Sequence, residues 1–127
     1  MKVNRYMSES PMTIRSDADY RQGFDIMHDR NLHHLPVVDK EDKVVGVLTQ
    51  RDLQLAARHY LEAEVEVSEV MHTPVVTVGP DDLLVSAARL MTANRIGGLP
   101  VVKEGRVVGV LTETDLFRAL IDLLEQD

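Results

Sequence analysis

The chain has 127 residues and a formal net charge of −7, with 44% hydrophobic and only 4% aromatic residues. It contains no Cys and no Trp, which excludes a disulfide framework and thiolate metal sites and leaves the core to aliphatic side chains. The acidity argues against binding a nucleic-acid backbone, which needs clustered Lys and Arg, and no stretch approaches the roughly 18 apolar residues of a membrane span.

A chain of this size buries about two-thirds of its unfolded surface, enough for a real core. Met1-Lys2-Val3-Asn4-Arg5 is not followed by an apolar signal segment, so the expectation is a cytoplasmic protein without membrane insertion. In chain order, Met12-Thr13-Ile14 reads as extended, and Ser16-Asp17-Ala18-Asp19 offers an N-cap with acids in the first helical turn. Tyr20, Phe24 and Met27 then form a helical stripe, and Asn31 marks the helix end. Leu35 to Val38 and Val44 to Leu48 read as strands joined by 39–43, and a second helix follows Thr49. Residues 59–68 form a connection in which Glu62-Ala63-Glu64-Val65-Glu66 reads as solvated surface.

The same order then returns. Val75 to Val78 reads as extended, and Gly79-Pro80-Asp81-Asp82 supplies a turn, a proline suited to a helix start and two acids for the positive dipole end. Leu83, Leu84, Ala87, Ala88 and Met91 give the stripe, and Asn94 the helix end. Leu99 to Val102 and Val107 to Leu111 give two strands around a Lys103-Glu104-Gly105-Arg106 turn with Gly105 at positive φ. Leu116, Phe117, Leu120, Ile121 and Leu124 make the last helix amphipathic.

Leu35-Pro36-Val37-Val38 is thus repeated as Leu99-Pro100-Val101-Val102, and Val44-Val45-Gly46-Val47-Leu48-Thr49 as Val107-Val108-Gly109-Val110-Leu111-Thr112. The offset is 64 for the prolines (100 − 36) and 63 for Asp52 and Asp115 (115 − 52), because the first hairpin connection has one more residue. The repeat predicts two copies, 1–60 and 61–127, each strand-helix-strand-strand-helix. The fold class is α+β with mixed α/β order, a pseudo-twofold pair forming one module with a cleft between its halves. The expected sheet is small, curved and covered by helices on one side, and the Val-Val-Gly-Val-Leu strand is expected to be buried on both faces.

Tyr6-Met7, Pro11, Thr13-Ile14, Leu35-Pro36-Val37-Val38 and Gly46-Val47-Leu48-Thr49-Gln50-Arg51-Asp52-Leu53 are matched by a second string. It comprises Val70-Met71, Pro74, Thr77-Val78, Leu99-Pro100-Val101-Val102 and Gly109-Val110-Leu111-Thr112-Glu113-Thr114-Asp115-Leu116. Together they resemble the CBS domain, named after cystathionine β-synthase, in its tandem pair. The resemblance implies a disc-shaped module that often dimerises and binds adenosine compounds between its motifs. It also implies regulation of an enzyme, channel or transporter. With room for the pair alone, the regulated target is expected to be another polypeptide or to lie outside this chain. The expected ligand is AMP, ADP or ATP, with S-adenosylmethionine or a related adenosine compound as the alternative. No cofactor is required.

If Thr112 caps the last helix, its hydroxyl and the following N–H groups favour a phosphate. Asp115, one turn on, can accept from both hydroxyls of a ribose. The resemblance assigns these roles, and Thr49 and Asp52 repeat them. The same spacing also makes a capping box, although Glu or Gln would suit the third position better. By the resemblance, Ile96-Gly97-Gly98-Leu99-Pro100 forms a slot for the base, with Thr77 and Val78 as its opposing wall. Equally, Gly97 and Gly98 can simply turn the chain. The copy-one counterparts are Thr13, Leu35 and Pro36, with His33-His34 standing where copy two has Gly97-Gly98. The histidines can titrate near a phosphate or sit at a surface turn. Arg51 and Arg95 are further phosphate candidates, or solvated. A His28, His33, His34 metal site is conceivable, but with no further ligand placed by spacing no metal is expected. No catalytic constellation is present, so no enzyme is expected. Two functions fit: a nucleotide-sensing regulatory module acting as a homodimer on a partner protein, and a structural dimerisation module whose Thr-x-x-Asp strings are only caps.

Overall fold

Leu35-Pro36-Val37-Val38 and Leu99-Pro100-Val101-Val102 lie in strands buried along most of their length, each at the heart of its own small sheet. The computed structural model describes residues 1–9, 11–60 and 64–126. Strands β1 (Ser8–Glu9), β2 (Ile14–Arg15), β3 (His34–Val38), β4 (Val44–Thr49), β5 (Gly98–Lys103) and β6 (Arg106–Thr112) alternate with five helices. The helices are α1 (Gln22–Arg30), α2 (Gln50–Tyr60), α3 (Val67–Val70), α4 (Leu84–Asn94) and α5 (Glu113–Leu124), and a short 3-10 turn spans Val3–Arg5.

The small sheet expected from the sequence occurs twice, as three-stranded sheets in the orders β1-β6-β5 and β2-β3-β4. The hairpins β3–β4 and β5–β6 pair in the same register, Leu35 opposite Leu48 and Leu99 opposite Leu111. β2 runs parallel to β3, and in copy two the matching position is only the parallel bridge Val78–Val101. On the other edge, β1 pairs antiparallel with β6, and His72 bridges antiparallel to Val47 of β4.

Packing therefore does not follow the 1–60 and 61–127 division of the repeat. One unit comprises Met1–Pro11 and Val76–Asp127, the other Met12–Val75. Each hairpin takes its antiparallel edge from the segment preceding the other copy. Glycine makes this approach possible. A Cβ on Gly109 would stand 2.7 Å from the Ser8 carbonyl oxygen, and one on Gly46 would stand 2.6 Å from Met71 Sδ. The N-terminal segment is further tied by Val3 N–H to the Asp82 carbonyl (2.9 Å) and Leu84 N–H to the Met1 carbonyl (2.8 Å).

Each unit has its own aliphatic core. Leu35, Val37, Leu48 and Leu53 are fully buried in one, and Val3, Leu99, Val101 and Leu111 in the other. Burial on both faces belongs to β3 and β5 rather than to the Val-Val-Gly-Val-Leu strands. In β4, Gly46 and Leu48 are buried while Val45 and Val47 are half-buried, as an antiparallel strand with one packed face requires.

The helix starts differ from the expected ones. Ser16 to Asp19 form a turn, and α1 begins only at Gln22. The Asp19 carboxylate accepts from the Arg21 backbone N–H (2.9 Å) and pairs with its guanidinium (2.6 Å), which holds Asp19 down at about 2. Gly79 N–H donates to Asp82 (2.7 Å), so that acid closes a turn before α4 instead of meeting its dipole, and Pro80 precedes the helix. Leu83 is exposed, as is Phe24 at the margin of its stripe. Asn31 takes the left-handed conformation ending α1, as expected, but at the end of α4 Arg95 does so, not Asn94. Glu104 and Gly105 both have positive φ in the second hairpin turn. The connection between the copies contains the unexpected α3, where Glu66 and Glu69 cap each other reciprocally. Val65 within the acidic run and Val67 just after it are buried, Glu64 and Glu66 are exposed, and Glu62 and Ala63 lie outside the described residues.

Candidate functional site

The two units assemble equivalent corners. In one, β6 delivers Thr112 to the N-terminus of α5, and Gly98, the first residue of β5, is its register partner. Glu113 N–H donates to the Gly97 carbonyl (3.1 Å), so the glycine pair is hydrogen-bonded directly to the start of α5 beside Thr112. Val78 donates to the Pro100 carbonyl (3.1 Å) and accepts from Val102 N–H (2.7 Å). Thr77 and Val78 thus run beside Leu99-Pro100 as a neighbouring extended segment. Gly97 and Gly98 take no left-handed conformation, so their freedom of φ is not what the corner uses.

Thr112 and Asp115 form a capping box. Thr112 N–H donates to Asp115 Oδ2 (2.8 Å) while the threonine side chain takes up the Asp115 N–H. Asp115 is 2% exposed, and its Oδ1 receives the Arg118 guanidinium from one turn further along α5. The short Asp side chain therefore serves where Glu or Gln was expected to fit better. Oδ2 also receives the Thr112 hydroxyl at 3.2 Å and so holds two donors, while Oδ1 holds Arg118 alone and keeps one acceptor position.

The second corner repeats this with different neighbours. Thr49 N–H donates to Asp52 Oδ2 (2.9 Å), and Asp52 N–H donates to Thr49 Oγ1 (3.1 Å). His34 is the register partner of Thr49, and Gln50 N–H donates to the His33 carbonyl (3.0 Å). Thr13 is half-buried just before β2, whose Ile14 is the register partner of Val37, while Leu35 and Pro36 are fully buried. Asp52 Oδ1 lies 3.1 Å from His72 Nδ1. Arg51 is exposed and forms no ion pair among the described residues, and Arg95 is exposed at the end of α4. His33 and His28 line a cleft of about 270 Å³ with Phe24, Asn31, Gln50 and Gln54. Among the described residues no three His, Cys, Asp or Glu side chains are grouped to hold a metal ion, so His28, His33 and His34 form no such cluster.

Two residues escaped the sequence reading. Arg118 sits three positions after Asp115, an i,i+3 spacing that places both on one helix face. His72 aligns with Ser8 by the offset of 64 (72 − 8), a difference between the copies visible in the sequence. Arg118 also lines a larger cleft of about 470 Å³ with Arg5, Tyr6, Met7, Ser8, Ile121 and Asp122. There the Tyr6 hydroxyl donates to Asp122 (2.6 Å), and that bond raises the Tyr6 pKa. The Arg5 guanidinium stands 5.5 Å from the Tyr6 ring centre.

The model of the CBS domain matches residues 3–59 and again residues 67–122. The chain belongs to the CBS domain family. A CBS domain-containing protein of Dictyostelium discoideum is 36% identical, with 97% of this chain and 93% of that one covered. An L-aspartate semialdehyde sulfurtransferase of Methanocaldococcus jannaschii is 32% identical over 91% of this chain, which spans only 22% of that enzyme. The enzyme name thus belongs to a protein of which a CBS pair is a fraction. The solved CBS domain pair of protein MJ0100, in complex with 5′-methylthioadenosine and S-adenosyl-L-methionine, superposes with a TM-score of 0.88 at 30% identity. That match covers 96% of this chain and 97% of the MJ0100 pair. The α+β architecture of five helices and two small sheets is that of CBS domain pairs. Among the described residues no helix is long and apolar enough to cross a membrane.

Proposed function

We propose that this CBS pair is a regulatory module, not an enzyme, that binds adenosine-containing ligands and passes the bound state to a partner protein in the cytoplasm. The observation that carries this reading is the Thr-Asp corner, built twice. In each unit a carboxylate that keeps at least one acceptor position is fixed at a helix N-terminus, beside the start of a buried strand. Such a corner offers ribose hydroxyls an acceptor and a phosphate the helix N–H groups. In this reading Thr112, Asp115 and Arg95, with Thr77, Val78 and Ile96 to Pro100, serve one site. Thr49, Asp52, Arg51 and Thr13, with His33 to Pro36, serve the other. The MJ0100 pair, whose structure holds two adenosine compounds, supports that ligand class. AMP, ADP and ATP remain candidates beside S-adenosylmethionine.

The test is thermal unfolding with AMP, ADP, ATP, S-adenosylmethionine, methylthioadenosine and GTP. A ligand at about 100 times its Kd stabilises the fold by about 2.7 kcal/mol, a shift of several degrees. An adenosine compound is expected to give that shift and GTP to give none. Absence of any shift in folded, nucleotide-free protein sinks the reading.

One observation favours the second reading, a dimerisation module without ligand: both Thr-Asp pairs are already satisfied as helix caps. Homodimerisation is common to both readings, and α5 supplies its surface. Phe117, Leu120, Ile121 and Leu124 are all roughly half-exposed or more, at helical spacing on one stripe. Phe117→Glu with Leu124→Glu is expected to turn a dimer into a monomer in sedimentation velocity, with the fold retained by circular dichroism. An unchanged sedimentation coefficient removes α5 as the interface.

A further inference from the structure

The cleft of about 470 Å³ between the N-terminal segment and α5 lies wholly within the Met1–Pro11 and Val76–Asp127 unit. Its volume falls within the range of small-molecule sites, roughly 300–1,000 Å³. Its walls are fixed by the fold. The turn that carries Arg5 is pinned by Val3, which is fully buried and bonded to the Asp82 carbonyl, and Ser8 is held in register on Val110 of β6. Charges of both signs line this cleft, yet Arg5 and Asp122 form no ion pair with each other among the described residues. Elsewhere on the surface such neighbours close on one another, as Arg15 does on Asp17 and Arg21 on Asp19. Here Tyr6 keeps them apart. The Arg5 guanidinium stands 5.5 Å from the centre of its ring, and its hydroxyl donates to Asp122 Oδ2 (2.6 Å). We propose that this cleft binds an α-amino acid with an aliphatic side chain, a zwitterion whose two charged groups answer the two signs held apart by Tyr6.

The ammonium goes to Asp122, whose Oδ1 has no partner among the described residues and whose orientation is set by Tyr6. The carboxylate goes to Arg5, which gives no side-chain hydrogen bond among the described residues, and to Arg118. Arg118 gives Asp115 only one of its guanidinium nitrogens and is 59% exposed, so other N–H groups remain for a ligand. Met7 and Ile121 supply apolar wall for the side chain. Ile121 is the edge of the α5 stripe nearest Arg118 and Asp122, so the cleft borders the surface assigned above to dimerisation. A simple anion would face the Asp122 carboxylate uncompensated, and a simple cation would face two guanidiniums. The arrangement is not a product of the repeat. By the offset of 64 the counterparts of Arg5 and Tyr6 are Glu69 and Val70 (69 − 5, 70 − 6), and by 63 those of Arg118 and Asp122 are Leu55 and His59 (118 − 55, 122 − 59). The other unit therefore repeats neither guanidinium, nor the phenol between the charges, nor the Asp122 carboxylate.

The experiment is a nuclear magnetic resonance titration of the full chain at neutral pH with three compounds: L-leucine, leucinamide, which lacks the carboxylate, and 4-methylpentanoate, which lacks the ammonium. Backbone amides of 5–8 and 118–122 are expected to shift with L-leucine at millimolar concentration. Each analogue is expected to bind at least about tenfold more weakly, the loss of one charge-assisted hydrogen bond. Asp122→Asn should weaken L-leucine about tenfold and leave 4-methylpentanoate unchanged, while Arg5→Gln should weaken L-leucine and leave leucinamide unchanged. Both side chains are exposed, so both variants are expected to fold, which circular dichroism checks. An analogue that binds as tightly as L-leucine, two variants that both bind L-leucine like the wild type, or no shift at these amides overturns the proposal. Titration with AMP, followed at amides 49–52 and 112–115, tests the adenosine reading separately, so either can fail while the other stands.

Discussion

Replacing Asp115 with alanine is expected to cost the fold about 3 kcal/mol and to abolish adenosine-ligand binding in its unit. The residue looks like a simple helix cap, and losing a cap costs about 1 kcal/mol. Asp115 does more. It is 2% exposed, it takes the Thr112 N–H at 2.8 Å, and its other oxygen holds Arg118. Alanine leaves a partly buried N–H without its acceptor, worth a further 1–3 kcal/mol or so. The Arg118 pair adds little, because its guanidinium side is 59% exposed and returns to water. Asp52→Ala strands the Thr49 N–H in the same way and should cost somewhat less, because Asp52 is the less buried of the two carboxylates. Urea unfolding of the two variants measures the difference. Equal losses would mean that burial of Asp115 contributes nothing beyond the cap. Binding is separable from stability through Asp115→Asn, which keeps one carbonyl acceptor for Thr112 but loses the charge. It should recover most of the stability and little of the affinity. Full ligand affinity in Asp115→Asn would favour the dimerisation module and a purely structural aspartate.

The repeat made the hairpins legible because their signal is local. Val37 and Val38 need partners of matching register, and the run ending at Thr49 supplies them a few residues later. The Thr-Asp corners were legible for the same reason: a threonine at a strand end with an acid three residues on closes a helix N-terminus without help from distant residues. What could not be read was long-range. Ser8 and Glu9 pair with Val110 and Gly109, a hundred residues away, and nothing in a two-residue strand announces that partner. The boundaries of α1 and α4 slipped because Asp19 and Asp82 each bond a backbone N–H in the turn before the helix, and composition alone does not separate that from an N-cap. The acidic run hid α3 because the helix's buried residue, Val67, stands between glutamates that remain in water.

Gly109→Val is expected to destabilise the chain by about 3 kcal/mol, near the upper end for an overpacked site. The new side chain would run into the N-terminal segment. Its Cβ would stand 2.7 Å from the Ser8 carbonyl oxygen and 2.8 Å from Met7 Sδ. The sulfur can move, because methionine is flexible. The carbonyl cannot, because Ser8 and Glu9 are held in register on Val110 and Gly109. The strain is therefore relieved only by lifting β1 off β6, which detaches the first eleven residues from the unit they complete. Gly46→Val meets Met71 Sδ at 2.6 Å and the His72 carbonyl oxygen at 3.0 Å, and should cost somewhat less because the backbone contact is longer. Gly23→Ala meets only the ends of Leu48 and Leu53 side chains, at 2.8 and 3.2 Å, and should cost least of the three. Chemical denaturation gives the order, and amide hydrogen exchange at 8 and 9 shows whether β1 has come away. A Gly109→Val protein with wild-type stability and protected β1 amides would mean that the N-terminal segment does not lie on β6. The division of the chain into Met1–Pro11 with Val76–Asp127 and Met12–Val75 would then give way to the simple halves of the repeat.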